Sequence, residues 1–424
     1  MIPNKLSIKA GLTSPLMPLW VLPALLPLGR SAELCTALCL IGSIMLLVRE
    51  PRALGEHAGA KLFLALMAAY IGAALFSAFD AVAPGKAWGT VAAVLRYLPI
   101  GIYACFAMRR PSRLFTLFRA TAVVIAVWVL DAWVQAATGW SLGGHAQAER
   151  VSGIFGADNL KLGPTLAVLS PFLLWAARER WGWRGLLVAA LAMLGPILLA
   201  GSRAAWLCYG VVVLAFAWVE CGGWRRFLPA CLAIAVVAGA GAGIAWEVST
   251  PFHARMERTL EVFQGHGANV DEALTGRLSI WRASLHMAAA HPVNGVGVRS
   301  FRYAYPSYAP ANDHFVTDES CGAGEGACHA HQLLLEILTE TGALGLVLWF
   351  AATCVAIRHW WTRPPAARAR AFPVTVALSA MLFPINTHLA FYSAWWGLLF
   401  AWLLALWCAA LFADIPDTAD KAVA

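Results

Sequence analysis

Residues 328–357 read CHAHQLLLEILTETGALGLVLWFAATCVAI, and this stretch decides how the rest of the chain is interpreted. It begins with Cys328-His329-Ala330-His331 and runs directly into an apolar segment long enough to cross a bilayer. Ahead of it, from about Val248, lies a long polar stretch rich in Arg, Asp, Glu, His, Tyr and Pro. The pattern places His331 where a folded polar loop meets a membrane helix, at the boundary between water and lipid.

The composition is that of a membrane protein. Of the 424 residues, 60% are hydrophobic and 13% are charged, and the mean hydropathy is +0.67. A soluble chain of this length needs more polar surface. We therefore read the net charge of +8 loop by loop and not as a signature of nucleic-acid binding, because membrane proteins place Lys and Arg on the cytoplasmic side. The first apolar run has no small-residue cleavage site after it, and we expect it to be a retained helix.

Apolar runs recur along the whole chain, and a membrane span needs roughly 17–25 residues. They predict an all-α integral membrane protein with about 12 transmembrane helices and one large loop that itself contains helices. The candidate spans are residues 14–29, 32–48, 62–79, 90–107, 120–137, 163–177, 185–200, 204–220, 227–246, 332–357, 373–390 and 394–413.

The connections between these runs alternate in charge. With the N-terminus inside, the even-numbered connections carry clustered arginines and few acids, whereas the odd-numbered ones are short or of mixed sign. This alternation predicts that both termini are cytoplasmic and that the long polar loop lies outside, in the periplasm if the cell has two membranes. The predicted parts are helices 1–9 in residues 1–247, the large loop in 248–331, helices 10–12 in 332–413 and a cytoplasmic tail in 414–424.

Several ionisable residues lie within or at the ends of predicted spans, where each needs a partner or a function. Arg203 sits at the outer end of spans seven and eight and has two interpretations, a snorkelling side chain or a functional one. Arg96 in span four is predicted to form a structural pair with Asp131 in span five. Arg30 is open to either role, and His388 is expected to be a packing residue.

Two local features of the polar loop carry their own expectations. Residues 276–290 have helical spacing, with Leu278, Trp281 and Leu285 on one face and Thr275 as the predicted cap. Cys321 and Cys328 share the loop in an oxidising compartment, so we expect a disulfide that braces it, with two free thiols as the alternative.

The histidines also raise the question of a metal site. His329 and His331 form an H-x-H pair, with His314 or Asp313 as further ligands. The sequence supplies no clear third and fourth ligand at a familiar spacing, so we expect no metal.

Three stretches of the sequence stand out together. The first is Gly201-Ser202-Arg203, and the second is Thr275-Gly276-Arg277-Leu278-Ser279-Ile280-Trp281, which runs on to His291-Pro292 and Gly295-Val296-Gly297. The third is His331-Gln332-Leu333-Leu334-Leu335-Glu336-Ile337-Leu338-Thr339-Glu340-Thr341-Gly342. Together they resemble the O-antigen ligase and polymerase superfamily, whose pattern has a His, usually followed by Asn, and then a Leu-rich sequence that ends in Glu-Thr-Gly. Here Gln332 stands where Asn is common, which retains an amide.

The resemblance implies a GT-C-like glycosyltransferase architecture and transfer of a glycan from undecaprenyl pyrophosphate at the outer face of the inner membrane. It implies that Arg203 and Arg277 bind the pyrophosphate and that His331 is the catalytic residue, with lipid A–core as the ligase's acceptor and with no cofactor or required metal. Glu336 and Glu340 share a helix face. Either one of them orients His331, with Glu336 as a supporting candidate, or both anchor the end of the helix or pair with loop arginines. His329, Arg96 and Arg30 are supporting candidates.

The chemistry favours these residue types, and the alternatives differ mainly in the acceptor. Arginine matches phosphate oxygens, and a neutral His331 can accept a proton from a sugar hydroxyl, which would invert the anomeric centre. A polymerase or a protein O-oligosaccharyltransferase of the same superfamily would use the same site. A secondary transporter, with Arg96 and Asp131 at mid-membrane, is the alternative from another class.

Overall fold

The computed structural model describes residues 14–145, 150–157, 159–248, 250–260, 271, 275–384 and 390–413. The predicted tail 414–424 and His388 lie outside the described residues, as does much of the first part of the polar loop. Within the described residues the chain is almost entirely helical, and its only sheet is a two-stranded antiparallel hairpin in which Trp140 pairs with His145.

The helices follow the predicted apolar runs. In chain order they are α1 Met17–Leu25, α2 Glu33–Arg49, α3 Ala53–Glu56, α4 Ala58–Ser77, α5 Pro84–Leu95, α6 Leu98–Ala107, α7 Pro111–Thr138, α8 Leu162–Leu199, α9 Arg203–Cys221, α10 Trp224–Val248, α11 Thr250–Leu260, α12 Arg277–Ala290, α13 Phe301–Ala304, α14 His314–Thr317, α15 Leu333–Thr362, α16 Pro365–Met381 and α17 Ala394–Phe412. The hairpin strands are β1 Trp140–Ser141 and β2 Gly144–His145, and single 3₁₀ turns span Gly153–Phe155 and Tyr305–Ser307.

Eight helical segments of the described chain are long and apolar enough to cross a membrane, which confirms the all-α membrane class. One of them, α8, is interrupted at Gly182 and contains two of the predicted spans. The remaining predicted spans, 14–29, 32–48 and 373–390, fall on α1, α2 and α16, which have 9, 17 and 17 residues. Beyond the eight, the count of twelve stays a prediction.

Helix α17 is the centre of the bundle. It is apolar on every side, and almost all of its residues are buried, as expected for a helix without a polar face. It packs against α4, α6 and α16. The indole of Trp402 donates a hydrogen bond to the carbonyl of Leu19 at 2.9 Å, which also ties the N-terminal helix to this core.

The polar loop packs against one end of the bundle. The amide of Val82, between α4 and α5, donates to the carbonyl of Val296 at 2.9 Å, and the Ser77 hydroxyl accepts from the amide of Val298 at 3.0 Å. The amide of Phe391, just ahead of α17, donates to Glu336 at 2.8 Å. The connections before α5 and before α17 therefore lie at the same end as the loop. Which side of the membrane this end faces stays a prediction.

The predicted pair between Arg96 and Asp131 is wrong. Arg96 ends α5 and forms an ion pair with Glu33 at 2.8 Å, while the Asp131 carboxylate accepts the amide of Leu142 at 2.7 Å. Arg96 finds its partner at the start of α2, whereas Asp131 instead holds the short loop that follows its own helix.

Candidate active site

Helix α12 begins at a tight turn in which two successive residues have left-handed backbone angles, Thr275 at φ 59° and Gly276 at φ 72°. A side chain at 276 would lie 2.7 Å from the rings of both His314 and Phe315, so only glycine fits here. The sequence predicts Thr275 as the cap of α12, and this prediction is wrong. The Asp271 carboxylate accepts the amide of Leu278 at 2.8 Å and a hydrogen bond from the Ser279 hydroxyl, which caps the helix from a more distant position.

Arg277, the first residue of α12, lies close to Arg203, the first residue of α9. Burial, and after it the positive charge of Arg203, lower the pKa of Arg277 to about 10. Arg277 remains charged near neutral pH. Two cations held together, with at least one of them largely buried, repel each other unless an anion lies between or beside them. The arrangement suits a multiply charged anion such as a diphosphate.

The two histidines follow a closed disulfide. The structure joins Cys321 and Cys328, seven residues apart, immediately before His329. The rings of His329 and His331 lie with their centroids 3.8 Å apart. His331 has φ 52°, a left-handed conformation that few residues other than glycine adopt. Within the part of the chain that the structure describes, neither imidazole belongs to a group of three or more potential metal ligands.

The histidine segment is attached to the arginine helix. Trp281 lies one turn after Arg277 on α12, and its indole N–H donates to the carbonyl of Ala330 at 3.0 Å. Gln332 then caps α15 by accepting the amide of Leu335 with its side-chain oxygen. The hydrogen bond from Trp281 to Ala330 holds the backbone next to His331 against the helix that begins with Arg277. The three residues singled out in the sequence therefore belong to one end of the bundle.

Glu336 and Glu340 anchor two other segments to α15. Both side chains are completely buried. The Glu336 carboxylate accepts the amide of Phe391 at 2.8 Å, and the Glu340 carboxylate accepts the amide of Arg299 at 2.9 Å. Of the two roles that the sequence left open, these contacts match an anchor. The acidic pair holds the loop that follows α12 and the segment that precedes α17.

Helix α15 opens at Gly342, and the loop after α12 enters the opening. The amides of Ala343 and Leu344 donate to the carbonyls of Pro292 and Val293, at 2.9 and 3.2 Å. In return the carbonyl of Thr339 accepts the amide of Val296 at 2.8 Å. Gly342 has φ 67°, and a side chain there would collide with the Val293 carbonyl. The Glu340-Thr341-Gly342 segment is thus a structural joint between the loop and α15, and it fixes the position of α12 relative to α15.

We expect Glu340→Ala to destabilise the protein and Glu340→Gln to be much milder. Alanine leaves the buried amide of Arg299 without its acceptor, which costs about 1–3 kcal/mol, while glutamine keeps an oxygen at that position. Thermal unfolding in detergent measures the difference, with exposed Glu50→Ala as the control. An equal loss of thermal stability in the alanine and glutamine variants would contradict the anchoring role of Glu340.

We expect the double replacement Cys321→Ser with Cys328→Ser to loosen the loop ahead of His331. A short disulfide loop contributes about 2–3 kcal/mol by restricting the open chain. Hydrogen exchange of the backbone between residues 314 and 331 should therefore accelerate. Cys354→Ser, an exposed free thiol on α15, should leave the exchange unchanged. Unchanged protection in the double variant would show that other contacts alone hold the segment.

The remaining predicted residues lie elsewhere or have other partners. Arg96 is engaged by Glu33 and contacts the ring of Tyr97. Arg30 is exposed in the turn between α1 and α2. The sequence interpretation missed Asp271 as a cap and Trp281 as the link to Ala330. Neither contact has a local signal in the sequence, because Asp271 lies six residues before the first residue of α12, outside the usual cap position, and Trp281 reaches a distant segment.

A comparison with known protein families matches part of the chain. A sequence model described as O-antigen ligase matches residues 188–350, a range that contains Arg203, Arg277, His331 and the Gly342 joint. Among curated proteins no sequence matches the chain. The matched range covers α9, α12, the polar loop and the first part of α15, which are the elements that build the arginine and histidine cluster. Residues 188–350 are therefore similar to the O-antigen ligase family, and this match supports membership of the O-antigen ligase and polymerase superfamily.

Proposed function

We propose that the protein is an O-antigen ligase, which transfers O-antigen polysaccharide from undecaprenyl pyrophosphate to lipid A–core. The observation that carries this proposal is the proximity of Arg277 to Arg203, combined with the bond from Trp281 to Ala330 beside His331. Together they bring two permanent cations and one imidazole to a single end of the bundle. The match of residues 188–350 to the O-antigen ligase family supports glycan transfer by this kind of site.

The arginines serve the leaving group. As the bond between the anomeric carbon and the pyrophosphate oxygen breaks, the electron pair stays on the pyrophosphate and its negative charge grows. Arg203 and Arg277 stabilise that charge more in the transition state than in the bound donor, which is the condition for a faster reaction. The guanidinium group also matches two phosphate oxygens at once.

His331 serves the nucleophile. The acceptor hydroxyl forms the new bond to the anomeric carbon, and its proton passes to the neutral imidazole as attack proceeds. Direct displacement inverts the anomeric centre. The products are glycosylated lipid A–core and undecaprenyl pyrophosphate. His331 has a left-handed backbone conformation at the junction between loop and helix, and such strained conformations often occur at functional positions. This reaction uses no metal and no cofactor.

The location follows from the same proposal. Residues 248–331 form the loop on the periplasmic side of the inner membrane of a Gram-negative cell, and helices in 1–247 and 332–413 cross the membrane. The lipid-linked donor and lipid A–core both present their polar groups at that surface. The end of the bundle that holds Arg277 and His331 is where both would meet.

The acceptor distinguishes the ligase from its relatives. A polymerase would use a second lipid-linked glycan as the acceptor. A protein O-oligosaccharyltransferase would use a Ser or Thr side chain, and both would use the same site. The transporter alternative relied on a mid-membrane pair of Arg96 and Asp131, and Arg96 pairs with Glu33 instead.

The test is an assay of purified protein with lipid-linked glycan and one acceptor at a time. We expect product with lipid A–core and none with a peptide, and the same rate with and without a chelator. If the product is a single elongated lipid-linked glycan and not modified lipid A–core, the protein is a polymerase and not a ligase. Loss of activity in chelator would overturn the metal-free mechanism.

A further inference from the structure

A large apolar cavity lies between four helices, mostly along the part of α15 that follows Gly342. It has a volume of about 460 Å³, and α4, α15, α16 and α17 all contribute to its wall. Helices α15 and α16 follow each other in the chain, yet α15 packs against α4 and α12, and α16 packs against α17 and α8. The cavity occupies the space that this divergence leaves between α15 and α16.

The wall of the cavity is suited to hydrocarbon. Trp349, Trp360 and Trp407 line it together with aliphatic side chains. The hydroxyls of Thr353 and Thr375 also line it, and both donate to carbonyls of their own helices at 2.9 Å. The indole N–H of Trp407 donates to the Thr375 hydroxyl at 3.0 Å. Because these polar groups already have partners inside the protein, an acyl chain fits the space better than a sugar or a peptide does.

The end of the cavity farthest from the polar loop is basic. Four arginines lie where α15 ends and α16 begins, namely Arg358, Arg363, Arg368 and Arg370. The sequence contains no acid between Glu340 and Asp414. The guanidinium carbon of Arg368 lies 5.6 Å from the ring centroid of Trp361, which lines the cavity and is 68% exposed. Tryptophan and arginine side by side at a helix end are typical of the level of the lipid head groups.

We propose that this cavity binds an anionic glycerophospholipid, with an acyl chain inside the cavity and the phosphate beside Arg368. Charge complementarity selects the occupant, because a negative head group attached to hydrocarbon matches an arginine-rich mouth that leads into an apolar space. The wall formed by α15 runs from Gly345 to Trp361. This is about 24 Å of helix, which exceeds the roughly 15 Å of hydrocarbon in one leaflet.

The lipids of the proposed reaction do not fit this orientation. The donor diphosphate is assigned to Arg203 and Arg277, at the end of the bundle where α15 begins. A polyprenyl chain that filled the cavity from that end would leave the four arginines at the mouth without an anion. The inferred site therefore takes a lipid that is not transferred. In the predicted orientation its mouth faces the cytoplasm, so the lipid comes from the inner leaflet.

The test is the binding of phosphatidylglycerol to the full-length protein in detergent, with phosphatidylcholine as the uncharged comparison. Native mass spectrometry over a range of lipid concentrations gives each Kd. We expect the wild type to bind phosphatidylglycerol at least fivefold more tightly. Arg368→Ala should raise the Kd for phosphatidylglycerol about fivefold, the factor that one arginine contributes near an anionic head group, and leave that for phosphatidylcholine unchanged.

Arg180→Ala is the matched control for the charge. The Arg180 guanidinium carbon lies 5.7 Å from the ring centroid of Trp181, which is exposed as well, but neither residue lines the cavity. This variant should change neither Kd. A weakening as large as that of Arg368→Ala would show that any surface arginine attracts the lipid, and it would overturn the assignment.

Ala356→Trp tests the cavity itself. Ala356 lines it from α15, so an indole at this position occupies the space assigned to the acyl chain. We expect the Kd for phosphatidylglycerol to rise about tenfold or more. Ala351→Trp adds the same side chain to an exposed position of α15 outside the cavity and should leave the Kd unchanged. Thermal unfolding of both variants checks that they are folded, and the Arg368→Ala result decides independently if Ala356→Trp is not.

Two further results would overturn the proposal. One is an equal Kd for phosphatidylglycerol and phosphatidylcholine in the wild type. The other comes from competition with undecaprenyl phosphate, an anionic lipid of the polyprenyl class. If it displaces phosphatidylglycerol at equal concentration, and Ala356→Trp weakens its binding as well, the cavity belongs to the polyprenyl lipid. Retention of phosphatidylglycerol in that competition supports the proposal.

Discussion

Replacing His331 with alanine is expected to slow glycan transfer by roughly 10²–10⁴-fold, the contribution that a positioned general base makes. The acceptor hydroxyl is too weakly acidic to ionise alone, so without the imidazole its proton has no nearby acceptor during attack. Initial rates of lipid A–core modification by purified variant and wild type measure the effect. The KM for the donor should change little, because in the proposed mechanism the arginines hold the diphosphate.

His329→Ala is the matched control for this prediction. The ring of His329 lies 3.8 Å from that of His331, so both variants remove an imidazole from the same short segment. A much smaller loss of rate in His329→Ala than in His331→Ala would assign the proton transfer to His331. Near wild-type rates in the His331→Ala variant would exclude it as the general base, whatever the His329 variant does.

Arg277→Ala is expected to reduce turnover by about 10²–10³-fold, the usual cost of removing one stabiliser of developing negative charge. Arg277→Lys should recover only part of that loss, because an ammonium keeps the charge but lacks the planar fork that binds two phosphate oxygens. Arg203→Ala should behave like Arg277→Ala. The double variant, Arg203→Ala with Arg277→Ala, should reduce turnover by a smaller factor than the product of the two single reductions, since the effects of residues that act as a unit are not additive.

Arg282→Ala provides the control for the arginine variants. Arg282 lies on α12 as well, but it is exposed, and its removal should leave turnover within a factor of two or so of wild type. Equal losses for Arg277→Ala and Arg282→Ala would indicate a general electrostatic effect of the helix and would contradict a specific diphosphate site. Binding of inorganic pyrophosphate to each variant separates loss of the site from loss of the fold.

The anchoring acids show why the site depends on more than its reactive residues. Glu340 holds the amide of Arg299, and the loop after α12 pairs with α15 at Gly342. These contacts determine the distance between the helix that begins with Arg277 and the helix that follows His331. We therefore interpret Glu340 as a positioning residue, whose loss acts on activity through the placement of α12.

The amino-acid sequence by itself determined the membrane class and most of the helical segments. It also indicated the loop helix, because 276–290 has apolar residues at helical spacing and α12 spans Arg277–Ala290. These properties depend on residues that are close in the chain. Apolar length decides whether a segment crosses a bilayer, and periodicity decides whether it coils as a helix.

Only the tertiary structure decided which groups meet. Arg96 pairs with Glu33 and not with Asp131, Trp281 reaches Ala330, and Asp271 caps α12 from outside the motif. Each of these partners is chosen by which helices pack side by side and by the rotation of each about its axis. In an almost uniformly apolar bundle, hydropathy is nearly the same for many arrangements, so close packing and the need to satisfy every buried polar group select the one that forms.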